Sequence, residues 1–398
     1  MNRFTISSCV VAAMLAACVG SQPPIATAPT LLQSQARTAY PTLYSFGKLF
    51  SGGRDPKAGL IDVNGTLYGT TYAGGSTACI GGCGVVFKIT PSGKEKVLYR
   101  FDGGNDGANP SASLLAVKGL LYGTTEYGGE ADAGTVFEIT TTGVEKVLHR
   151  FGYDGNERYY DDGSNPVASL IDVKGTLYGT TANGGSNGSG TVFRISTRGK
   201  EKVLYSFAIS GDGANPVASL LDVKGALYGT TEHGGDGGYG TVFSVSTTGI
   251  EKQLHAFSYG PNGGYPVAAL VNVNGTLYGT TAYGGVDQGG TAFSITTSGS
   301  LTVLHSFGAT IDGGLYPCAP LLSVSYDFFG TTSAGVPLQF GKGAIFSMTP
   351  NGGVSVIHTF GSGFDGAAPL AGLIDVKGTL YGTTSAGGTY GEGTIFAY

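Results

Sequence analysis

The chain has 398 residues, 71 of them glycine, with 41% hydrophobic and 12% charged side chains. That much apolar and that little charged material excludes a disordered polymer. A formal net charge of −5 with no Lys/Arg cluster argues against a nucleic-acid partner, and no apolar run is long enough for a membrane-spanning helix.

Residues 1–17 read as an export signal: Arg3 supplies a small positive start, Phe4 to Leu15 is mostly apolar, and the stretch ends Leu15-Ala16-Ala17-Cys18. This ending resembles a bacterial lipobox. The resemblance implies cleavage before Cys18 and a lipid on its sulfur. It places the protein in the cell envelope, and Val19 after the cysteine favours the outer membrane in a Gram-negative host. An ordinary signal peptide with an incidental cysteine is the plainer alternative. Residues 18–39 have no period and several prolines, so they read as a tether spanning about 25 Å on average.

Residues 40–398 form a tandem array. Leu-Tyr-Gly-Thr-Thr recurs with its Tyr at 68, 122, 178, 228, 278 and 381, and Phe328-Phe329-Gly330-Thr331-Thr332 is a degraded copy, giving seven units about 50 residues apart. Each unit predicts four short strands. In the unit at 166–207 they are Ala168 to Val173, Thr176 to Thr181, Thr191 to Ser196 and Lys202 to Phe207, all rich in β-branched and aromatic residues. Lys174-Gly175 suits a two-residue hairpin, and no 3.6-residue period predicts a helix beyond the signal.

The second strand places apolar Leu177 and Tyr178 on opposite faces. A sheet covered on both sides by its neighbours explains this, which predicts an all-β, seven-bladed β-propeller of four-stranded blades. Gly179 is expected to admit the neighbouring blade. An open solenoid is the rival architecture, but the chain ends favour a ring. Thr42 to Phe46 matches the fourth strand, Gly393 to Tyr398 matches the third, and pairing them completes the last blade.

The pattern VLYSF…DGANP…LIDVKG-type lead-in…LYGTT…GG…GTVF in residues 203–246 resembles the Gloeo/Verruco (GloVer) tandem repeat of bacterial choice-of-anchor surface proteins. The resemblance covers residues 42–398 and implies a surface-anchored protein without an assigned chemistry. Unit six departs most, with Phe329 for Tyr and Val336 breaking a Gly-Gly pair. The unit is also similar to kelch repeats in its length and in that glycine pair.

In such a fold the long links, from strand four to one and from two to three, share one face, where a ligand is expected. Recurring Asp106, Asp162, Asp212 and Asp365 read as turn-formers at the lead-in to strand one. His149, His255, His305 and His358 occupy the strand-four position of Tyr44, Tyr99 and Tyr205 and read as structural aromatics. Only His233 is out of that register.

The two positions after each Leu-Tyr-Gly-Thr-Thr motif vary, so Glu126, Tyr127, Glu232, His233 and Tyr283 are candidates for an acidic, aromatic-lined mouth. Tyr159 and Tyr160 in the longest link are candidates for stacking on a sugar or a partner surface. Solvated loop residues are the bland alternative for both groups. Cys79 and Cys83 can pair in an oxidising compartment and staple their loop, and they make a weak zinc signal; Cys318 reads as a small buried hydrophobe. Neither a metal nor another cofactor is expected. Gly184 to Gly188 and Gly235 to Gly240 match G-x-S-x-G and G-x-G-x-x-G, but no helix follows to give either its chemistry. The expectation is a lipid-anchored binding module for a glycan, peptide or envelope protein. The alternative is a hydrolase or lyase using Glu126, Glu232 and His233.

Overall fold

In a computed structural model, the residues described are 42–152, 160–209, 211–308, 314–335, 342–361 and 364–398. The candidate lipidation site Cys18, the tether, Tyr159 and Val336 lie outside them. The described residues form seven four-stranded antiparallel sheets, with one small two-residue pairing of Gly53–Arg54 with Ala73–Gly74.

The third blade shows how sequence becomes sheet. Ile171–Val173, Thr176–Thr181, Thr191–Ser196 and Glu201–Ser206 pair in chain order. Lys174 and Gly175 both have positive φ, at 54° and 84°, as a type I′ turn requires. The Asp172 carboxylate accepts the Gly175 amide hydrogen at 2.8 Å and fixes that turn. The other blades repeat the plan, with innermost strands Ile61–Val63, Leu115–Val117, Leu221–Val223, Val271–Val273, Leu322–Val324 and Ile374–Val376. These innermost strands neighbour one another in sequence order, and the last lies beside the first. The array is therefore a closed seven-bladed β-propeller.

Closure uses the chain start. Thr42–Ser45 pairs antiparallel with Thr394–Ala397, completing the seventh blade. The Phe46 amide donates to the Gly393 carbonyl at 2.9 Å, and the Phe46 ring meets Phe87 of the first blade edge-on at 5.2 Å. The same ring pair joins each later blade to the next, as Phe101–Phe137 and Phe207–Phe243 do.

The core lies between blades, which is why the second strand is apolar on both faces. Leu177 packs against the preceding blade's Tyr122 and Phe151, while Tyr178 packs against the following blade's Leu220, Leu227 and Phe243. The first threonine of every motif but the fifth, where the Thr280 hydroxyl is buried without a hydrogen-bond partner, also crosses this boundary. Thr70 Oγ1 donates to the Ala112 carbonyl at 3.1 Å, and Thr383 Oγ1 donates across the ring closure to Ala58 at 3.0 Å. The second threonine pins the following loop, as Thr181 Oγ1 does by donating to the Asn183 carbonyl at 2.9 Å.

Two expectations need revision in detail. A Cβ on Gly179 would lie 2.6 Å from the ring of Phe193 and 2.8 Å from Leu170, both in its own blade. The glycine thus makes room for its cross-strand phenylalanine, not for the neighbouring blade. The recurring aspartates are structural, but they tie the loop back to strand four. Asp106 accepts from the Tyr99 hydroxyl at 2.7 Å and the Asp102 amide at 2.8 Å. Asp162 binds His149 Nε2 at 2.9 Å and accepts the Gly152 amide hydrogen at 2.9 Å.

The strand-four histidines keep the aromatic register, each meeting the phenylalanine two residues on at 4.7–4.9 Å. Cys79 and Cys83 are joined in a disulfide, and Cys318 is a free thiol.

Candidate functional site

Antiparallel pairing puts the two kinds of long link at the same end of each blade. Bridges between them confirm it: Ala108 pairs with Tyr127, Ser164 with Asn183, Ala214 with His233, and Gly264 with Tyr283. The residue after each bridging pair's first member sits before the strand-one proline, and it belongs to the mouth of the ring. Moving inward, the segments leading into strand one line an axial channel of about 300 Å³, which is mostly small and apolar, with Lys57 at its wall.

The predicted candidates divide into separate groups on this face. Glu126 lies in the second blade with Tyr127, which is exposed, and acts on Tyr72 of the first. Burial, followed by the Glu126 carboxylate, pushes Tyr72 up to about 12. Lys57 Nζ sits over the Tyr72 ring at 3.3 Å and 3.5 Å from Asp55 Oδ2. Glu232 lies two blades further on, within electrostatic reach of Tyr283 and Cys318. Burial, with a smaller push from Glu232, raises the Cys318 thiol above its ordinary value against the opposing hydrogen bond to Ser333. Among the described residues no hydrogen bond or ion pair joins Glu126 to Glu232 or His233, and no group of three His, Cys, Asp or Glu is placed to hold a metal. Tyr160 is exposed, and its carbonyl accepts amide hydrogens from Gly185 at 2.7 Å and Gly163 at 3.0 Å, so its backbone organises its loop.

His233 and Tyr283 belong to an aromatic arc that the sequence reading missed. His233 meets Tyr265 at 5.4 Å, Tyr265 meets Tyr283 at 5.7 Å, and Tyr283 meets Tyr316 at 4.9 Å between ring centroids. Tyr239 and Tyr259 flank Tyr265 at 5.5 and 6.2 Å. His233 and Tyr283 are exposed, and Tyr265 and Tyr316 are half-buried.

Tyr265 and Tyr316 occupy an unfavourable backbone position. The residue before the strand-one proline is Asp55, Asn109, Asn165, Asn215, Tyr265, Tyr316 or Ala368 in the successive blades, always left-handed with φ of 51–60°. Asn and Asp tolerate this region, whereas a bulky side chain there costs on the order of 1–3 kcal/mol. The asparagines also lock blades together. Asn109, Asn165 and Asn215 Nδ2 donate to the carbonyls of Tyr72, Glu126 and Ala182 at 2.9, 3.1 and 2.9 Å. Tyrosine at 265 and 316 forgoes both advantages. The available signal was Tyr-Pro standing where three other units have Asn-Pro.

Beside the arc runs a row of side-chain amides. Asn215 Nδ2 donates to Asn183 Oδ1 at 3.1 Å, and Asn183 Nδ2 donates to Asn165 Oδ1 at 3.2 Å. Asn183 is exposed. The mouth thus changes from amides in the third and fourth blades to aromatic rings in the fourth to sixth.

Among solved structures, the chain is similar to a putative 6-phosphogluconolactonase from Bacteroides uniformis at 14% identity and a TM-score of 0.50, covering 77% of this chain and 85% of that one. It is also similar to PorZ, an essential bacterial surface component of the type-IX secretion system of Porphyromonas gingivalis, at 15% identity and a TM-score of 0.53, covering 84% of this chain and 46% of that one. At such identities these likenesses show the fold alone. No curated protein matches the sequence. The Gloeobacter/Verrucomicrobia repeat profile matches residues 26–161 and 155–337, and the chain belongs to that repeat family.

Proposed function

We propose that the protein is a non-catalytic binding module of the cell envelope, held by a lipid on Cys18, that takes its ligand on the long-loop face. The observation that carries this reading is the aromatic arc, which puts bulky rings at the repeat's left-handed position and forgoes the asparagine bond between blades on one sector of the mouth. The ligand class is a glycan, a peptide or another envelope protein. The lipobox-like ending at Cys18 and the surface-protein character of the resembling repeats support the location. Binding is measured on arrays of glycans and peptides with wild type, a Tyr265→Asn/Tyr316→Asn double variant and a Lys174→Ala/Lys224→Ala variant in the short turns. The reading expects loss in the first variant and retention in the second. The reverse pattern refutes the assignment of the face.

A propeller hydrolase or lyase using Glu126, Glu232 and His233 is the second reading. The fold likeness to a putative lactonase is the observation in its favour. Against it, Glu126 and Glu232 act on different partners in blades that are not adjacent, which weighs against an acid–base pair across one substrate. Hydrolysis of a lactone or ester probe that falls in Glu126→Gln and Glu232→Gln alike would favour this reading over the first.

A further inference from the structure

Resting on the binding-module reading, the identity of its ligand follows from the chemistry of one sector of the mouth. Three features meet there. The rings of His233, Tyr265, Tyr283 and Tyr316 follow one another at 4.9–5.7 Å across three consecutive blades. The amides of Asn165, Asn183 and Asn215 continue the arc on the side of His233. Acidic side chains stand beside the arc: Glu232 is within electrostatic reach of Tyr283, and Asp236 is exposed on the same loop as His233.

Each feature selects for a different property of the ligand. Tyrosine presents an apolar face of fixed shape with few rotors to order, which suits a ring bearing C–H groups on one side. A carboxamide offers both a donor and an acceptor in one plane, which matches a hydroxyl that is itself both. Acidic neighbours disfavour phosphate, sulfate and uronate. The free sheet edges are the outer fourth strands, such as Glu201–Ser206, and not the mouth loops, so strand addition by an extended peptide would not use the arc. A ligand that stacks, carries many hydroxyls, has no negative charge and extends over several blades is a neutral polysaccharide.

We propose that this sector is a carbohydrate-binding site for a neutral polysaccharide, whose sugar rings stack on the arc from His233 to Tyr316 and whose hydroxyls bond to the Asn165–Asn183–Asn215 row. Tyr265 and Tyr316 specify the site, since asparagine at those positions would satisfy the fold better. The amide row supplies directionality at one end. The Glu232 carboxylate accepts hydroxyl hydrogens beside Tyr283.

Affinity gel electrophoresis of the full-length protein through dextran, xylan, mannan and soluble β-glucan, with polygalacturonate as the anionic comparator, tests this. Wild type is retarded by at least one of the neutral polymers and not by polygalacturonate. Tyr265→Asn, Tyr316→Asn and Asn183→Ala each weaken retardation about tenfold or more. The melting temperature of the two tyrosine variants stays level or rises, because asparagine suits the left-handed backbone, and this separates loss of ligand contact from loss of fold. Retardation that survives all three substitutions, preference for polygalacturonate, or migration unaffected by every neutral polymer overturns the proposal. A peptide from a displayed library that binds wild type and is lost with Tyr265→Asn, in the absence of polysaccharide binding, overturns the carbohydrate assignment while leaving the binding module intact. Binding of neither kind removes both.

Discussion

Glu201 opens the outer strand of the third blade, and its Oε1 is buried without a hydrogen-bond partner. Burial, and then the Asp162 carboxylate of the neighbouring second-blade link, push it from an ordinary 4.5 up to about 8. Asp162 already has its own partner in His149 Nε2 at 2.9 Å, so it does not give up its place to Glu201. The folded value exceeds the unfolded one. The associated stability is therefore fully present below pH 4.5 and is lost as pH rises through about 8. The shift corresponds to roughly 4–5 kcal/mol at 1.36 kcal/mol per pH unit, and partial exposure of the side chain trims it to about 3 kcal/mol. Glu201→Gln keeps the shape of the neutral acid and removes the ionisation. The expected outcome is near-equal urea midpoints for wild type and variant at pH 4.5. At pH 9 the variant should be the more stable, by about 3 kcal/mol. A variant equally destabilised at both pH values, or showing no gain at pH 9, would refute the reasoning. Glu145 and Glu251 hold the equivalent position in adjoining blades, each at about 7 from burial and then from Asp106 or Asp212, so alkaline destabilisation should persist in weakened form in the single variant.

Deleting residues 1–47 should lower the melting temperature and cause association, because the seventh blade loses its outer strand and Phe46, whose full burial is worth about 1.5–3 kcal/mol; deleting 1–38 should not, and equal thermal melts would argue against ring closure. Gly179→Ala should cost about 1–3 kcal/mol by overpacking against Phe193 and Leu170, whereas Gly260→Ala, with nothing within 4 Å of its Cβ, should stay within about 0.5 kcal/mol by chemical denaturation. Mass spectrometry of the mature N-terminus should find a lipid-modified Cys18, and an unmodified terminus elsewhere would remove the anchor from the proposed function.

The frame was legible because one interaction set is written seven times. Thr176 to Thr181 and Thr191 to Ser196 are strands with the bounds that their residues predict. The first strand is shorter, starting at Ile171, because Ala168 and Ser169 leave the ladder to line the axial channel, Ala168 meets the preceding blade's threonine, and Leu170 turns into the core between blades. The fourth begins at Glu201, one residue early, since the tight turn at Gly199 leaves Glu201 paired with Ile195. The role of Gly179 was misassigned because a glycine in a strand signals a close approach without saying from which side. Only the register of Gly179 opposite Phe193 decides that.

The candidate site was harder to see because it is assembled from two loops per blade that are distant in sequence. The position after Leu-Tyr-Gly-Thr-Thr advertises its variability, and it supplied His233 and Tyr283. The position before proline looks conserved in purpose, since asparagine there makes the left-handed turn and the contact between blades. A substitution that weakens both is informative in proportion to what it forgoes. Ala368 forgoes them as well, but it adds no ring or polar group to the mouth, so its departure alone has no consequence for a ligand. Tyr265 and Tyr316 forgo them and place two rings on either side of Tyr283. In a repeat protein the frame itself is the reference state, and a functional position is one where a unit accepts a worse local fit and gains a chemical group facing solvent. By that measure the weight of the mouth falls on the fourth to sixth blades, away from Glu126.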